Sequence, residues 1–97
     1  MFRELELLAA RMESELKANE HKGDWRAPRK DKNAIFAELA WHQAKLLVAL
    51  EAGEKDKIAE HTADMCNLYL MLAMSAEVFR SDPKHAPMRG PYRDDWY

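Results

Sequence analysis

The stretch ELAWHQAKL at 38–46 puts Glu38, His42 and Lys45 at i, i+4 and i+7. That spacing lays a carboxylate, an imidazole and an ammonium along one edge of a helix. Ile35, Leu39, Leu46 and Ala49 recur at helical steps around them, and His42 occupies the apolar position between Leu39 and Leu46. Further on, Glu60, Asp64 and Asn67 repeat the same i, i+4, i+7 spacing, with His61 to one side. Carboxylates and imidazoles together can ligate a metal ion or move protons, and an ammonium can neutralise a phosphate. If the two stretches pack antiparallel, the groups meet between two helices, a usual place for a site in a helical bundle.

Each piece also has a plainer reading. A single histidine on an apolar face is more often a hydrogen-bonded core residue than a catalytic one. Glu38 and Lys45 fit the edge of a solvated face, where ion pairs contribute little. Asp64 and Asn67 can tie a helix to neighbouring backbone. Met65, Met71 and Met74 serve most simply as core filler. The convergence of several polar residues on two adjoining faces is what weighs toward a site.

Three helical segments must position these groups. Leu5, Leu8, Met12 and Leu16 predict a helix over about residues 2–19, with Asn19 and Gly23 as stop signals. HKGDWRAPRKDKN at 21–33 follows, a polar connection long for two packed helices. A second helix starts at Asp31 or Asn33, either of which can cap it, and runs to Ala52, where Gly53 supplies a left-handed end. The third is expected from Lys55 to Phe79, closed by Ser81, Asp82 and Pro83. Strand periodicity, internal repeats and low-complexity tracts are missing, so the expected class is all-α, with a helical domain over 1–80 and an irregular tail over 81–97. On the third helix Ile58, Met65, Tyr69, Leu72 and Ala76 form one apolar face, and Met71, Met74 and Val78 nearly the opposite one. A helix apolar on both sides needs cover on both, which predicts a homodimer or a dimer of dimers.

Composition narrows the classes. The chain's 97 residues make one domain with a modest core. Fifteen Lys and Arg against seventeen Asp and Glu leave a formal charge of -2 and no electrostatic case for a nucleic-acid polymer or a membrane. Cys66 is the single cysteine, which excludes an internal disulfide and suits a reducing cytoplasm. The N-terminus is charged from its third residue, unlike a signal peptide. The apolar run beginning at Leu68 is far shorter than the ~20 residues that span a bilayer.

NEHKGDW at 19–25, ELAWHQAKLLVALEAGE at 38–54 and AEHTADMCNLYLMLA at 59–73, in that order, resemble the small MazG-like proteins of phages and bacteria. These belong to the all-α nucleoside triphosphate pyrophosphohydrolase superfamily. The likeness spans about residues 10–76. It rests on HKG-x-W, on the A-L-x-x-G-(D/E) helix end and on A-D-x-x-N in the third helix. The resemblance implies a MazG-like helical bundle, three main helices per chain, completed by oligomerisation. The family's enzymes cleave nucleoside triphosphates to monophosphate and pyrophosphate, holding Mg²⁺ with E-E-x-x-E on one helix and E-x-x-D on the next. Those positions fall here on Trp41, His42 and Lys45, and on His61 and Asp64. Only Asp64 is kept, with Asn67 matching the asparagine that often follows.

That departure implies a cluster poor at holding Mg²⁺, a hard cation that prefers oxygen ligands. The first expectation is therefore a non-catalytic nucleotide-binding protein, cytoplasmic and needing no cofactor, that sequesters or senses a phosphorylated nucleotide, as in a phage counter-defence role. Lys22, His42, Lys45 and His61 would meet phosphates, Asn67 a sugar or base, and Trp25 or Trp41 would stack, with Glu38 and Asp64 in the same cluster. A second is a divergent pyrophosphohydrolase. Asp64, Glu60 and Glu38 would keep Mg²⁺ or Mn²⁺, or His42 and His61 would join Asp64 and Glu60 around Mn²⁺ or Zn²⁺. Lys45 argues against a dication. A third is a structural homo-oligomeric module whose polar cluster fixes helix register. The tail residues Arg89, Tyr92, Arg93, Trp96 and Tyr97 are expected to pack on the oligomer or stay loose rather than build the site.

Overall fold

The computed structural model describes residues 1–22 and 31–76. Helix α1 covers Arg3–Ala18, α2 covers Lys32–Ala52 and α3 covers Lys55–Ser75, with a short 3-10 turn, Glu20–Lys22, after α1. The described residues are helical and hold no strand, so the chain is all-α. Trp25, the possible domain boundary near residue 80, the stop at 81–83 and the tail lie outside the described residues.

Local chemistry sets the helix ends. Asn19 closes α1, its backbone N–H donating to the Glu15 and Leu16 carbonyls and its Nδ2 donating to the Glu15 carbonyl at 2.9 Å. Asp31 caps α2, its Oδ1 accepting the Ala34 N–H at 2.9 Å and satisfying one otherwise orphaned donor. Gly53 ends α2 at φ 69, the left-handed region open to glycine at little cost. The Gly53 N–H donates to the Leu50 carbonyl and the Glu54 N–H to the Ala49 carbonyl, closing the turn that sends α3 back along α2. Ala76 caps α3 through its N–H to the Leu72 and Ala73 carbonyls.

Helix α3 packs against both α1 and α2, whereas α1 and α2 do not pack on each other among the described residues. The three helices thus form a layer with α3 in the middle, and α1 and α2 stand as walls on either side of it. Ile35 and Leu39 of α2 meet Leu68 of α3 in a small core, with Met65, Met71 and Leu72 packed around them. Ala63 is fully buried in α3. The Asn67 Nδ2 donates to the Met12 carbonyl at 3.0 Å and Arg11 Nη1 to Asp56 Oδ1 at 3.2 Å, tying α1 to α3.

Helix α3 is central and meets α1 on one side and α2 on the other. Met71 packs on the small core beside Met65 and Leu72, while Tyr69 is exposed and Val78 lies outside the described residues. Uncovered apolar surface lies on α2, where Phe36, Trp41, Leu47, Val48 and Leu50 are each more than half exposed, and also at Leu5 and Leu7 of α1 and Tyr69 of α3.

Candidate functional site: a histidine and carboxylate cleft

Because α1 and α2 flank α3 without touching, a cleft of about 700 Å³ opens between them, floored by α3. Glu15, Asn19 and Lys22 come from the α1 side, Glu38, Trp41 and His42 from α2, and Glu60, Asp64 and Asn67 from α3. The i, i+4, i+7 spacing of Glu60, Asp64 and Asn67 turns all three toward the opening.

At the α2–α3 edge of the cleft the two histidines meet. His42 Nδ1 lies 3.0 Å from His61 Nδ1 and 3.8 Å from Asp64 Oδ2. One potential ligand atom from each of His42, His61 and Asp64 lies within 4.8 Å of the other two. At 3.0 Å the two facing nitrogens are within hydrogen-bond distance, with the tautomer deciding which donates. Trp41 stands edge-on to both rings, 4.9 Å from His42 and 5.9 Å from His61 between centroids. This indole wall limits how far either imidazole can turn. His61 is buried and His42 half-buried, so both donors are held by packing.

The cleft is strongly acidic. Glu15, Glu38, Glu60 and Asp64 face a wall on which Lys22 carries the positive charge among the described residues. Burial raises the Asp64 carboxyl above its ordinary range, and the negative charge of Glu15 and then of Glu60 pushes the same way, against the opposing pull of His42 and His61. Asn67 is buried; its Nδ2 is taken by the Met12 carbonyl and its Oδ1 has no partner among the described residues. That leaves a buried acceptor next to the cleft wall without a described partner.

The structure thus brings together Glu38, His42, Glu60, His61, Asp64 and Asn67, and it places Lys22 on the same wall. It leaves Lys45 apart. That side chain is exposed, its Nζ lies 5.4 Å from the Trp41 ring centroid, and it does not line the cleft. Glu15 is the site residue that sequence reasoning missed. It sits one turn from Asn19 and beside Met12 and Leu16 on the packed face of α1, and Arg11 Nε donates to its Oε2 at 2.9 Å.

No known protein family, curated protein or solved structure matches this chain. The chain is a small all-α protein with three α-helices among the described residues.

Proposed function

We propose that this chain is a MazG-like nucleotide-binding protein that grips phosphate through a transition-metal ion held by His42, His61 and Asp64. The observation that carries this is the meeting of those three donors at the edge of a cleft whose described wall bears four carboxylates and one ammonium. Of the lining carboxylates Glu15 is paired with Arg11 and Glu60 with Lys57, so the cleft offers a phosphate little positive charge beyond Lys22. A bound cation supplies that charge. Lys45, the group that spoke against a dication, lies outside the cleft.

Two imidazoles and one carboxylate do not suit Mg²⁺, but they suit Mn²⁺ or Zn²⁺. A tetrahedral ion with bonds of about 2.0–2.1 Å needs donor atoms about 3.3–3.4 Å apart. The histidine nitrogens are 3.0 Å apart and the His42–Asp64 pair 3.8 Å, and all three donor atoms lie within 4.8 Å, so side-chain adjustments of up to about an ångström would close the set on one ion. When bound, such an ion polarises phosphoryl oxygen and lowers the pKa of a coordinated water. The chain's own residues do the rest. Trp41 offers a face for a base, and Glu38 or Glu60 can take a proton from attacking water. This favours the divergent pyrophosphohydrolase over a silent binder.

The 3.0 Å contact between the imidazoles also fits a direct hydrogen bond, which keeps metal-free nucleotide sensing as a second reading. One experiment separates them. Purified protein is incubated with each nucleoside triphosphate in EDTA, Mg²⁺, Mn²⁺ or Zn²⁺, and both bound nucleotide and released pyrophosphate are measured. Pyrophosphate released with Mn²⁺ or Zn²⁺ and not in EDTA supports the proposal. Nucleotide bound equally well in EDTA, and recovered uncut, overturns it in favour of the second reading.

A further inference from the structure

His42, His61 and Asp64 bring two imidazoles and one carboxylate together, one ligand atom of each lying within 4.8 Å of the others. His61 and Asp64 are three residues apart on α3 and so share a face, and His42 comes from α2. All three donors therefore belong to one hairpin. The wall across the cleft is α1, and Glu15, the carboxylate it brings there, is held by Arg11 Nε at 2.9 Å. An ion seated on this set has protein donors on one side and the open cleft on the other.

Donor type and spacing bear on which ion that is. Two histidines and one carboxylate with open positions are the donor set of non-haem ferrous iron. An octahedral ion with bonds of about 2.1 Å sets adjacent donors about 3.0 Å apart, and a tetrahedral one sets them about 3.4 Å apart. The facing Nδ1 atoms of His42 and His61 stand at 3.0 Å, the octahedral spacing. Asp64 Oδ2 lies 3.8 Å from His42 Nδ1 and closes the remaining distance by rotation of its side chain. For one donor set Fe²⁺ also binds more tightly than Mn²⁺.

We propose that this cleft takes ferrous iron on His42, His61 and Asp64, and that a π-accepting diatomic such as nitric oxide occupies positions the protein leaves open. The inference rests on the metal-bearing reading of the cleft and adds which ion sits there and what, besides phosphate, reaches it. Zn²⁺ has a closed d shell and does not hold such a ligand, whereas Fe²⁺ does. The step is an association: one bond forms from iron to nitrogen, none breaks, and no oxidant or reductant is consumed.

The test uses the full chain, stripped of metal and handled without oxygen. Fe²⁺, Mn²⁺ and Zn²⁺ are added singly and thermal unfolding is followed. Nitric oxide is then released onto the Fe²⁺ sample and its electron paramagnetic resonance is recorded. Fe²⁺ is expected to raise the melting temperature more than an equal concentration of Mn²⁺. The nitric oxide sample is expected to show the half-integer-spin signal of a ferrous nitrosyl, stoichiometric with the chain, and pulsed spectra should show coupling to imidazole nitrogen. His42→Ala and Asp64→Asn should each lower the signal at least about tenfold at the same Fe²⁺ concentration. Cys66→Ser should leave it unchanged; loss of the signal in that variant places the iron on the thiol and overturns the proposal. A chain that Mn²⁺ or Zn²⁺ stabilises and Fe²⁺ does not also overturns it, and leaves the metal-bearing reading of the cleft standing. A chain that none of the three ions stabilises overturns both. If the site variants do not fold, the wild-type pulsed spectrum decides: absence of imidazole coupling refutes the assignment.

Discussion

Loading the cleft with Zn²⁺ and then removing one imidazole gives the most direct trial of the site. Three donor atoms within 4.8 Å of one another can close on one ion by side-chain movement once the His42–His61 hydrogen bond opens. An ion present at 100 times its dissociation constant adds about 2.7 kcal/mol to the folded state. For a chain of this size each kcal/mol moves the melting temperature by about 4–8 °C, so the wild type should gain about 10–20 °C. His42→Ala deletes the donor that faces both His61 and Asp64. Losing a direct ligand costs at least the tenfold to hundredfold that loss of an outer hydrogen bond costs. At a hundredfold weaker affinity the same ion concentration contributes about 0.4 kcal/mol, a shift of about 2–3 °C. Thermal unfolding followed by circular dichroism, with and without Zn²⁺ or Mn²⁺, reads both numbers, and Cys66→Ser controls for ion capture by the thiol. A wild type whose midpoint neither ion moves would refute the reasoning, as would a His42→Ala protein that gains as much.

The metal-free protein should respond in the opposite sense to Asp64→Asn. Because the folded state raises the Asp64 carboxyl, it holds that proton more tightly than the unfolded chain does. Stability contributed by this group is therefore present at low pH, and it falls as pH rises from the ordinary value of 3.8 through the raised one. Asp64→Asn should melt higher than wild type at neutral pH, match it near pH 3, and lose the Zn²⁺ response; urea titrations across that range check it. Leu39→Ala removes a side chain 4% exposed at the centre of the small core and should cost about 2–5 kcal/mol in the same urea assay. Gly53→Ala should cost about 1 kcal/mol, since φ 69 is strained for any Cβ, and nothing within 4 Å of the added methyl contributes a clash; Gly53→Asn should cost less.

The elements were largely legible in the sequence because their ends rest on local chemistry. Asp31 and Gly53 announce the limits of α2 through a side-chain acceptor and a left-handed residue, neither of which needs a tertiary partner. His42, His61 and Asp64 were legible as a group because the short turn at Gly53 and Glu54 forces α2 and α3 to run antiparallel. What could not be read was which helix faces the third side. The cleft exists because α1 packs on α3 and not on α2, a tertiary choice that no spacing records. Glu15 was therefore missed, although its place one turn from Asn19 on the packed face of α1 was a usable signal. Lys45 has its backbone one turn from His42, yet its ammonium sits 5.4 Å from the Trp41 ring centroid and the side chain does not line the cleft.

That one-sided attachment of α1 has a kinetic consequence. The α2–α3 hairpin closes through a two-residue turn and owns the core of Ile35, Leu39 and Leu68, whereas α1 has no buried residue of its own. Its grip on α3 relies on half-buried Leu8, Met12 and Leu16, one amide bond to a carbonyl and the Arg11–Asp56 pair. Helix α1 should peel from the hairpin well below the free energy of global unfolding, and its amides should exchange with deuterium before those of α2 and α3. His42, His61 and Asp64 remain on the hairpin when it does, while the opposite wall with Glu15 swings away. A ligand too large for a rigid slot thus has a door, and its entry rate would be set by how often the first helix lets go.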